Sequence, residues 1–345
     1  MRFGNVMSVK TAVVYWGTRG GGPRQMLNLI DSLEESNDRL YFYISSNNEL
    51  LSEIQSRSKI NLEINLLPSS IYELLLSFPT RNRLMKQMIA DFEEKKITRV
   101  YFLLPHPWDL NLSKKIMKKG GIEIWRGIHD VRRHPGDIWP NFFTTKKLIR
   151  DSTTLVCFSS YIEEKLLKYG KPILQSDLFE VNREAKITSQ KGSVLFVGRF
   201  RKYKGLELLA KTWPLVVNSR KSLTVGGQGK MPRELHKIGA KLIVKWLSDS
   251  EIEELVRNSH LVVLPYVEAS QSGVIAIAHS LSTPVVITPV GGLVDQVIDG
   301  VNGLIAADTT PESLAATIDL ALSMNWKLQD EANPLPNFLA KLQAD

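Results

Sequence analysis

The sequence predicts an α/β chain of two doubly wound, Rossmann-like domains in series, and three observations carry that expectation. Short β-rich apolar runs alternate with segments of helical period, as in parallel sheets covered on both faces. The alternation restarts after a polar stretch near the middle of the chain. The length, 345 residues, exceeds what one hydrophobic core usually spans.

In the first half the runs Thr11–Tyr15, Leu40–Ser45, Ile60–Leu67, Arg99–Leu104, Glu123–Ile128 and Thr154–Phe158 read as strands, with helices over Arg24–Glu34 and Ile71–Glu94. In the second half the strands are Val194–Gly198, Ser222–Gly226, Leu242–Trp246, Leu261–Tyr266, Pro284–Thr288 and Asn302–Ala306. Its helices are Leu206–Val217, Glu251–Asn258, Ser272–Leu281, Leu293–Ile298 and Pro311–Ser323. Ser159-Ser160 followed by Tyr161-Ile-Glu-Glu164 reads as a helix cap with an acidic first turn. The first domain is expected over residues 1–176, a linker over 177–192, the second domain over 193–324, and a tail over 325–345 that crosses back to the first.

Composition narrows the class. With 43% hydrophobic and 23% charged residues the chain is neither disordered nor fibrous. A single cysteine, Cys157, excludes an intramolecular disulfide and a cysteine-based zinc site and fits a reducing compartment, so a cytoplasmic location is expected. The longest stretch without charge, Ala269 to Val294, is broken by Ser270, Gln271, His279, two prolines and two glycines, and reads as helix, turn and strand rather than a membrane span. Between Arg81 and Arg150 there are 16 Lys or Arg against 7 Asp or Glu, an excess of nine that exceeds the net charge of +8. Within it, Lys114-Lys115 and Lys118-Lys119 recur at helical spacing. Such a face suits an anionic acceptor or the inner face of a membrane, where the chain would attach peripherally; no nucleic-acid-binding module accompanies it.

Three segments carry candidate chemistry. Val194-Leu-Phe-Val-Gly-Arg-Phe-Arg-Lys-Tyr-Lys-Gly205 is a buried strand, a basic turn and a helix start. Arg199 leaves the carboxyl end of the strand and Lys204 stands at the helix N-terminus, an arrangement that suits a diphosphate. Gly226-Gly227-Gln228-Gly229 ends the next strand and allows close approach of backbone to ligand, or simply a sharp turn. In Leu264-Pro-Tyr-Val-Glu-Ala-Ser-Gln-Ser-Gly-Val274, Glu268 stands before a small-residue turn; its carboxylate suits sugar hydroxyls, and the alternative is that Ser270 caps the helix while Glu268 complements its dipole. His129, with Asp130, and His134 follow a strand end, where histidine serves as acid, base or ligand, and His106 sits between prolines after another strand.

Together with Trp246-Leu-Ser-Asp-Ser-Glu-Ile-Glu-Glu-Leu255, Thr283-Pro-Val-Val-Ile-Thr-Pro-Val-Gly-Gly292 and Gly300-Val-Asn-Gly-Leu304, these segments resemble, over about 194–322, the nucleotide-binding half of the retaining family 4 glycosyltransferases (glycosyl transferases group 1). Trp16-Gly-Thr-Arg-Gly-Gly-Gly-Pro23 and Ile128-His-Asp-Val-Arg-Arg-His-Pro-Gly-Asp137 are more loosely similar to that family's glycine loop and acceptor-side segment. The resemblance implies a GT-B fold, with the two domains facing a central cleft, and a metal-independent, retaining transfer of a hexose from a nucleoside diphosphate sugar to a saccharide or lipid-linked acceptor in polysaccharide or glycoconjugate synthesis. It implies no cofactor. It assigns His129, Asp130 and Glu268 to the reaction centre, and Arg199, Lys204, Gly21, Gly22, Ser272, Gly273 and Val274 to the donor diphosphate. Gly198, Gly227, Gly229, Trp246 and Leu247 fall to the nucleotide, and His106, Arg132 and His134 to the acceptor side. The family's second glutamate, eight residues after the first and directed to the ribose, is Ala276 here, or Ile277 in an alternative register. That departure raises the alternative of a catalytically silent sugar-nucleotide-binding protein of the same fold. No Asp-x-Asp metal signature is present.

Overall fold

Runs of β-branched and aromatic residues, closed by turn-forming residues, become the strands of two parallel sheets. The structure, a computed structural model, describes residues 9–33, 38–57, 60–65, 78–131, 142–176, 190–326 and 335–344. The first domain runs β1 (Thr11–Tyr15), α1 (Gly21–Asp31), β2 (Leu40–Ser45), α2 (Leu51–Gln55), β3 (Asn61–Asn65), α3 (Phe78–Glu94), β4 (Arg99–Phe102), α4 (Asp109–Lys119), β5 (Glu123–Ile128), α5 (Phe142–Arg150), β6 (Thr154–Cys157), α6 (Ser160–Leu167) and β7 (Ile173–Gln175). The second runs β8 (Gln190–Val197), α7 (Leu206–Thr212), β9 (Ser222–Gly227), β10 (Lys241–Val244), α8 (Asp249–Arg257), β11 (Ser259–Leu264), α9 (Gly273–Ser280), β12 (Val285–Ile287), β13 (Gly303–Ile305) and α10 (Pro311–Ser323), and the chain ends in α11 (Leu335–Gln343).

Among the described residues the sheets have seven and six strands, in the orders β3-β2-β1-β4-β5-β6-β7 and β10-β9-β8-β11-β12-β13. Every pairing is parallel. Each order reverses once, at β1/β4 and at β8/β11, and the crevice of an open α/β sheet lies outside the strand ends at such a switch point. Both faces of the sheets are covered. Along β1, Val13 and Tyr15 pack in one cluster with Met26 and Leu29 of α1, whereas Ala12 and Val14 pack in another with Met85, Phe92 and Leu112 of α3 and α4.

A buried ion pair ties the first sheet to its helices. The Asp109 carboxylate, at the start of α4, accepts from Arg126 Nη1 (2.6 Å) and Trp16 Nε1 (2.8 Å), and both members of the pair are fully buried. Arg126 spends its other donors on Ser113 (2.8 Å) and Ser152 (3.1 Å) and lies over the Phe102 ring. The final helix α11 belongs to the same domain in space. Phe338, Leu339 and Leu342 pack in the β1 core cluster, Thr11 Oγ1 donates to Leu342 O (2.7 Å), and Arg99 Nη1 donates to the carbonyls of Lys341, Leu342 and Ala344.

The differences from the sequence reading are local. Strand β8 begins at Gln190, so the end of the expected linker belongs to the sheet; residues 177–189 lie outside the described residues. The helix expected over Leu206–Val217 stops at Thr212, because Pro214 lacks the amide to continue it, and a 3₁₀ turn Trp213–Leu215 follows. The helix expected over Leu293–Ile298 is a 3₁₀ turn at Gly291–Gln296; Gly291 has φ 52° and a Cβ there would lie 1.7 Å from Ala269 O, so only glycine fits at its start. The helix expected from Ile71 is described from Phe78 onward. Among the described residues no helix is long and apolar enough to cross a membrane.

Candidate functional site

The switch points of the two sheets face one cleft of about 800 Å³ between the domains. Its first-domain wall is the turn between β1 and α1. Gly20 stands at the N-cap of α1 with φ 88° and no side-chain cap, and its amide donates to Glu49 Oε1 (2.6 Å), so this loop is held open toward the cleft by a carboxylate from the next turn. Gly20, Gly21 and Gly22 all line the cleft. On the second-domain side, Ser272 is the N-cap of α9 and also makes no side-chain cap; its hydroxyl meets Tyr266 Oη (3.3 Å). Two helix N-termini without side-chain caps therefore present their dipole ends to one space.

Arg199 and Lys204 supply the cations. Arg199 is exposed and lines the cleft beside Gly198. Lys204 is half-buried, with Nζ 3.8 Å from the centroid of the Tyr266 ring, which sets its height at the cleft wall. The turn that carries them ends at Gly205, φ 70°, where a Cβ would lie 1.6 Å from Pro265 O. Gly227, Trp246 and Leu247 form the far wall, Trp246 being 40% exposed, and Ser272, Gly273 and Val274 complete it.

His129 and Asp130 follow β5 into the same cleft. The His129 ring stacks on Phe158 at 4.3 Å, and burial pushes its pKa down to about 4 against the pull of Asp130, so the ring is neutral at physiological pH. Gln271 Nε2 donates to Nδ1, which leaves the proton on Nε2 to face Gln25 Oε1 (3.1 Å). This histidine is a neutral hydrogen-bonding group held from both domains rather than a charged acid.

Three residues differ from the sequence reading. Glu268 is exposed and outside the cleft lining, because the Val267 amide donates to Tyr203 O (2.9 Å) and turns the chain outward. His106 is absent from the lining although Leu104 and Pro105 are in it; its amide donates to Asp109 Oδ2 (2.9 Å) and its Nδ1 accepts from Trp108 N (3.3 Å), so it builds the entry turn of α4. Gly229 pairs with Phe200 in an isolated bridge and is outside the cleft lining, although Gly227 and Gln228 are in it. Arg132 and His134 lie outside the described residues.

The sequence reading missed the groups that join the domains. Arg24, one turn into α1, is buried and bridges Asp249 (3.1 Å) and Glu253 (2.5 Å) of α8. Asp295 Oδ2 accepts from the amides of Ser160 (2.7 Å) and Tyr161 at the start of α6. Its neighbour Gln296 clamps the Ser272 backbone, accepting from N (2.7 Å) and donating to O (3.1 Å). Among the described residues no group of three or more His, Cys, Asp or Glu is placed to hold a metal ion.

Two doubly wound sheets facing a cleft lined from both domains define the GT-B architecture, and solved structures of that class align with more than nine-tenths of the chain. The crystal structure of Anabaena HepE in complex with UDP and glucose aligns with TM-score 0.68 at 14% identity, covering 91% of this chain and 90% of that one. The lipopolysaccharide outer core galactosyltransferase WaaB, in its apo form, aligns with TM-score 0.69 at 15% identity over 96% and 98% of the two chains. Residues 191–324, nearly the whole of the second domain, match the family model of glycosyl transferases group 1. An uncharacterized glycosyltransferase of Methanocaldococcus jannaschii is 28% identical over 157 residues, 43% of this chain and 40% of that protein. The match thus spans less than half of that curated relative.

Proposed function

We propose that the protein is a retaining, metal-independent glycosyltransferase that moves a hexose from a nucleoside diphosphate sugar to a saccharide or lipid-linked acceptor. The observation that carries the reading is the convergence of Arg199, Lys204 and the N-termini of α1 and α9 on one cleft between two sheet switch points. The complex of its structural neighbour HepE with UDP and glucose supports a donor of this kind. In the reaction the bond from the anomeric carbon to the bridging phosphate oxygen breaks, its electron pair leaves with the diphosphate, and the acceptor oxygen bonds to the same face while its proton passes to the departing diphosphate oxygen. Negative charge grows on the leaving diphosphate, where preorganised cations and amides act most strongly. Arg199 and Lys204 take that part. Trp246 and Leu247 wall the nucleotide, and His129 and Asp130 stand at the transferred group.

A thermal-shift screen of nucleoside diphosphates tests the reading, since a ligand that binds only the folded state raises its stability by mass action. One of them is expected to raise the Tm of wild-type protein and to do so less in Arg199→Ala; no shift with any nucleoside diphosphate contradicts the assignment. Because side chains rather than an ion hold the diphosphate, turnover is expected to persist in excess chelator. Loss of turnover that added Mg²⁺ restores contradicts metal independence.

Part of the basic excess faces outward on α3, α4 and α5, where Arg83, Lys86, Lys114, Lys118, Lys147 and Arg150 are exposed. Lys114 and Lys118 are exposed, Met117 between them is 55% exposed, and Phe143 at the start of the adjacent α5 is 78% exposed. Lys119 is spent on Glu93. Cations interleaved with exposed apolar groups suit an anionic bilayer that presents the acceptor. Charge reversal at Lys114 and Lys118 is expected to reduce co-sedimentation with anionic vesicles at low salt while leaving nucleotide affinity unchanged. Equal co-sedimentation of variant and wild type favours a soluble acceptor.

A further inference from the structure

We propose that Gln271, rather than Glu268, reads a hydroxyl of the donor sugar; the assignment rests on the donor reading above. The loop after β11 is anchored in the backbone on both sides of this residue. A Cβ on Gly291 or Gly292 would lie 1.7 Å from Ala269 O or 2.0 Å from Ser270 O, so the glycine pair seats both residues from behind. Gln296 grips the Ser272 backbone on both sides. Between these anchors the chain presents the Gln271 side chain to the cleft, while Glu268, three residues earlier, is turned out to solvent.

The Gln271 amide is half used. Its nitrogen donates to His129 Nδ1 across the cleft, which fixes the rotamer. Its oxygen is buried with no hydrogen-bond partner. A buried acceptor without a donor is unfavourable until a donor arrives, and the hydroxyl of a sugar is a donor of the right chemistry. A carboxamide accepts it without placing a further negative charge beside the diphosphate, in a cleft already lined by Glu49, Glu53, Asp249 and Glu253. His129, neutral and stacked on Phe158, serves as the rigid post that keeps the amide in place.

The test compares affinities by calorimetry for UDP, GDP and ADP with those for UDP-glucose, GDP-mannose and ADP-glucose, using the full chain. Gln271→Ala is expected to shift the ratio of sugar-conjugate to diphosphate affinity against the conjugate by about three- to tenfold, the worth of one hydrogen bond, while the affinity for the diphosphate alone stays within twofold. That unchanged affinity also shows that the variant is folded. A ratio unchanged in Gln271→Ala but shifted in Glu268→Gln overturns the assignment in favour of Glu268, and a ratio unchanged in both overturns it outright. If wild-type protein binds none of the three diphosphates, the donor reading itself fails, a result distinct from either of these.

Discussion

Arg199→Ala and Lys204→Ala are each expected to lower kcat/KM for the donor about ten- to a hundredfold with little change in Tm. Charge-assisted hydrogen bonds to a phosphate contribute roughly 1.5–3 kcal/mol apiece, and 1.4 kcal/mol is tenfold. Neither side chain is part of the hydrophobic core: Arg199 is exposed, and Lys204 is half-buried with its ammonium over the rings of Tyr266 and Tyr203. The loss is expected mainly in kcat, because the charge these cations meet is greatest as the diphosphate departs; a loss confined to KM indicates uniform binding of donor and transition state. Wild-type kinetics in both variants contradict the diphosphate assignment.

Arg126→Met is expected to show the largest effect on stability. Removing one partner of a fully buried ion pair costs about 3–5 kcal/mol, because the other charge remains in a place that cannot solvate it. Even with Arg126 beside it, and with Trp16 and the His106 amide donating, burial pushes the Asp109 carboxyl up to about 6. Without the guanidinium its pKa rises further. A carboxyl whose folded pKa lies above its unfolded value binds protons more readily when folded, so its destabilising effect is full above the folded pKa and fades as the pH falls toward about 4. Denaturant titrations of variant and wild type are therefore expected to differ most at pH 7.5 and to converge on acidification toward pH 5. A difference that is constant with pH means that lost packing, not the stranded carboxylate, is responsible. The double variant Asp109→Leu with Arg126→Met is expected to recover much of the loss.

The boundaries that the sequence made legible are those with local causes. Thr11–Tyr15, Leu40–Ser45 and Glu123–Ile128 are strands over the bounds their residues suggest, since each is a compact run rich in β-branched or aromatic residues with turn-forming residues close by. Pro311–Ser323 is equally plain, opened by Thr310, whose side chain accepts from the Ser313 amide, and by Pro311 at the first helical position. What depends on another part of the chain was not legible. Val267 turns outward because Tyr203 accepts its amide, and Glu268 goes with it. Arg24 meets Asp249 and Glu253, and Gln271 meets His129, only because two domains close on each other. Each of those residues is unremarkable among its own neighbours. The cations and glycines of the cleft were legible because they follow strand ends, where the fold itself puts ligands.

Release of nucleoside diphosphate from a panel of nucleoside diphosphate sugars, measured with the full chain in the presence and absence of saccharide acceptors, reaches the account's core. Slow release without acceptor from at least one donor is predicted, accelerated by a matching acceptor, unaffected by chelator, and reduced at least tenfold in Arg199→Ala and Lys204→Ala. Binding of a sugar nucleotide with no release under any of these conditions, or release as fast in the two variants as in wild type, would contradict it.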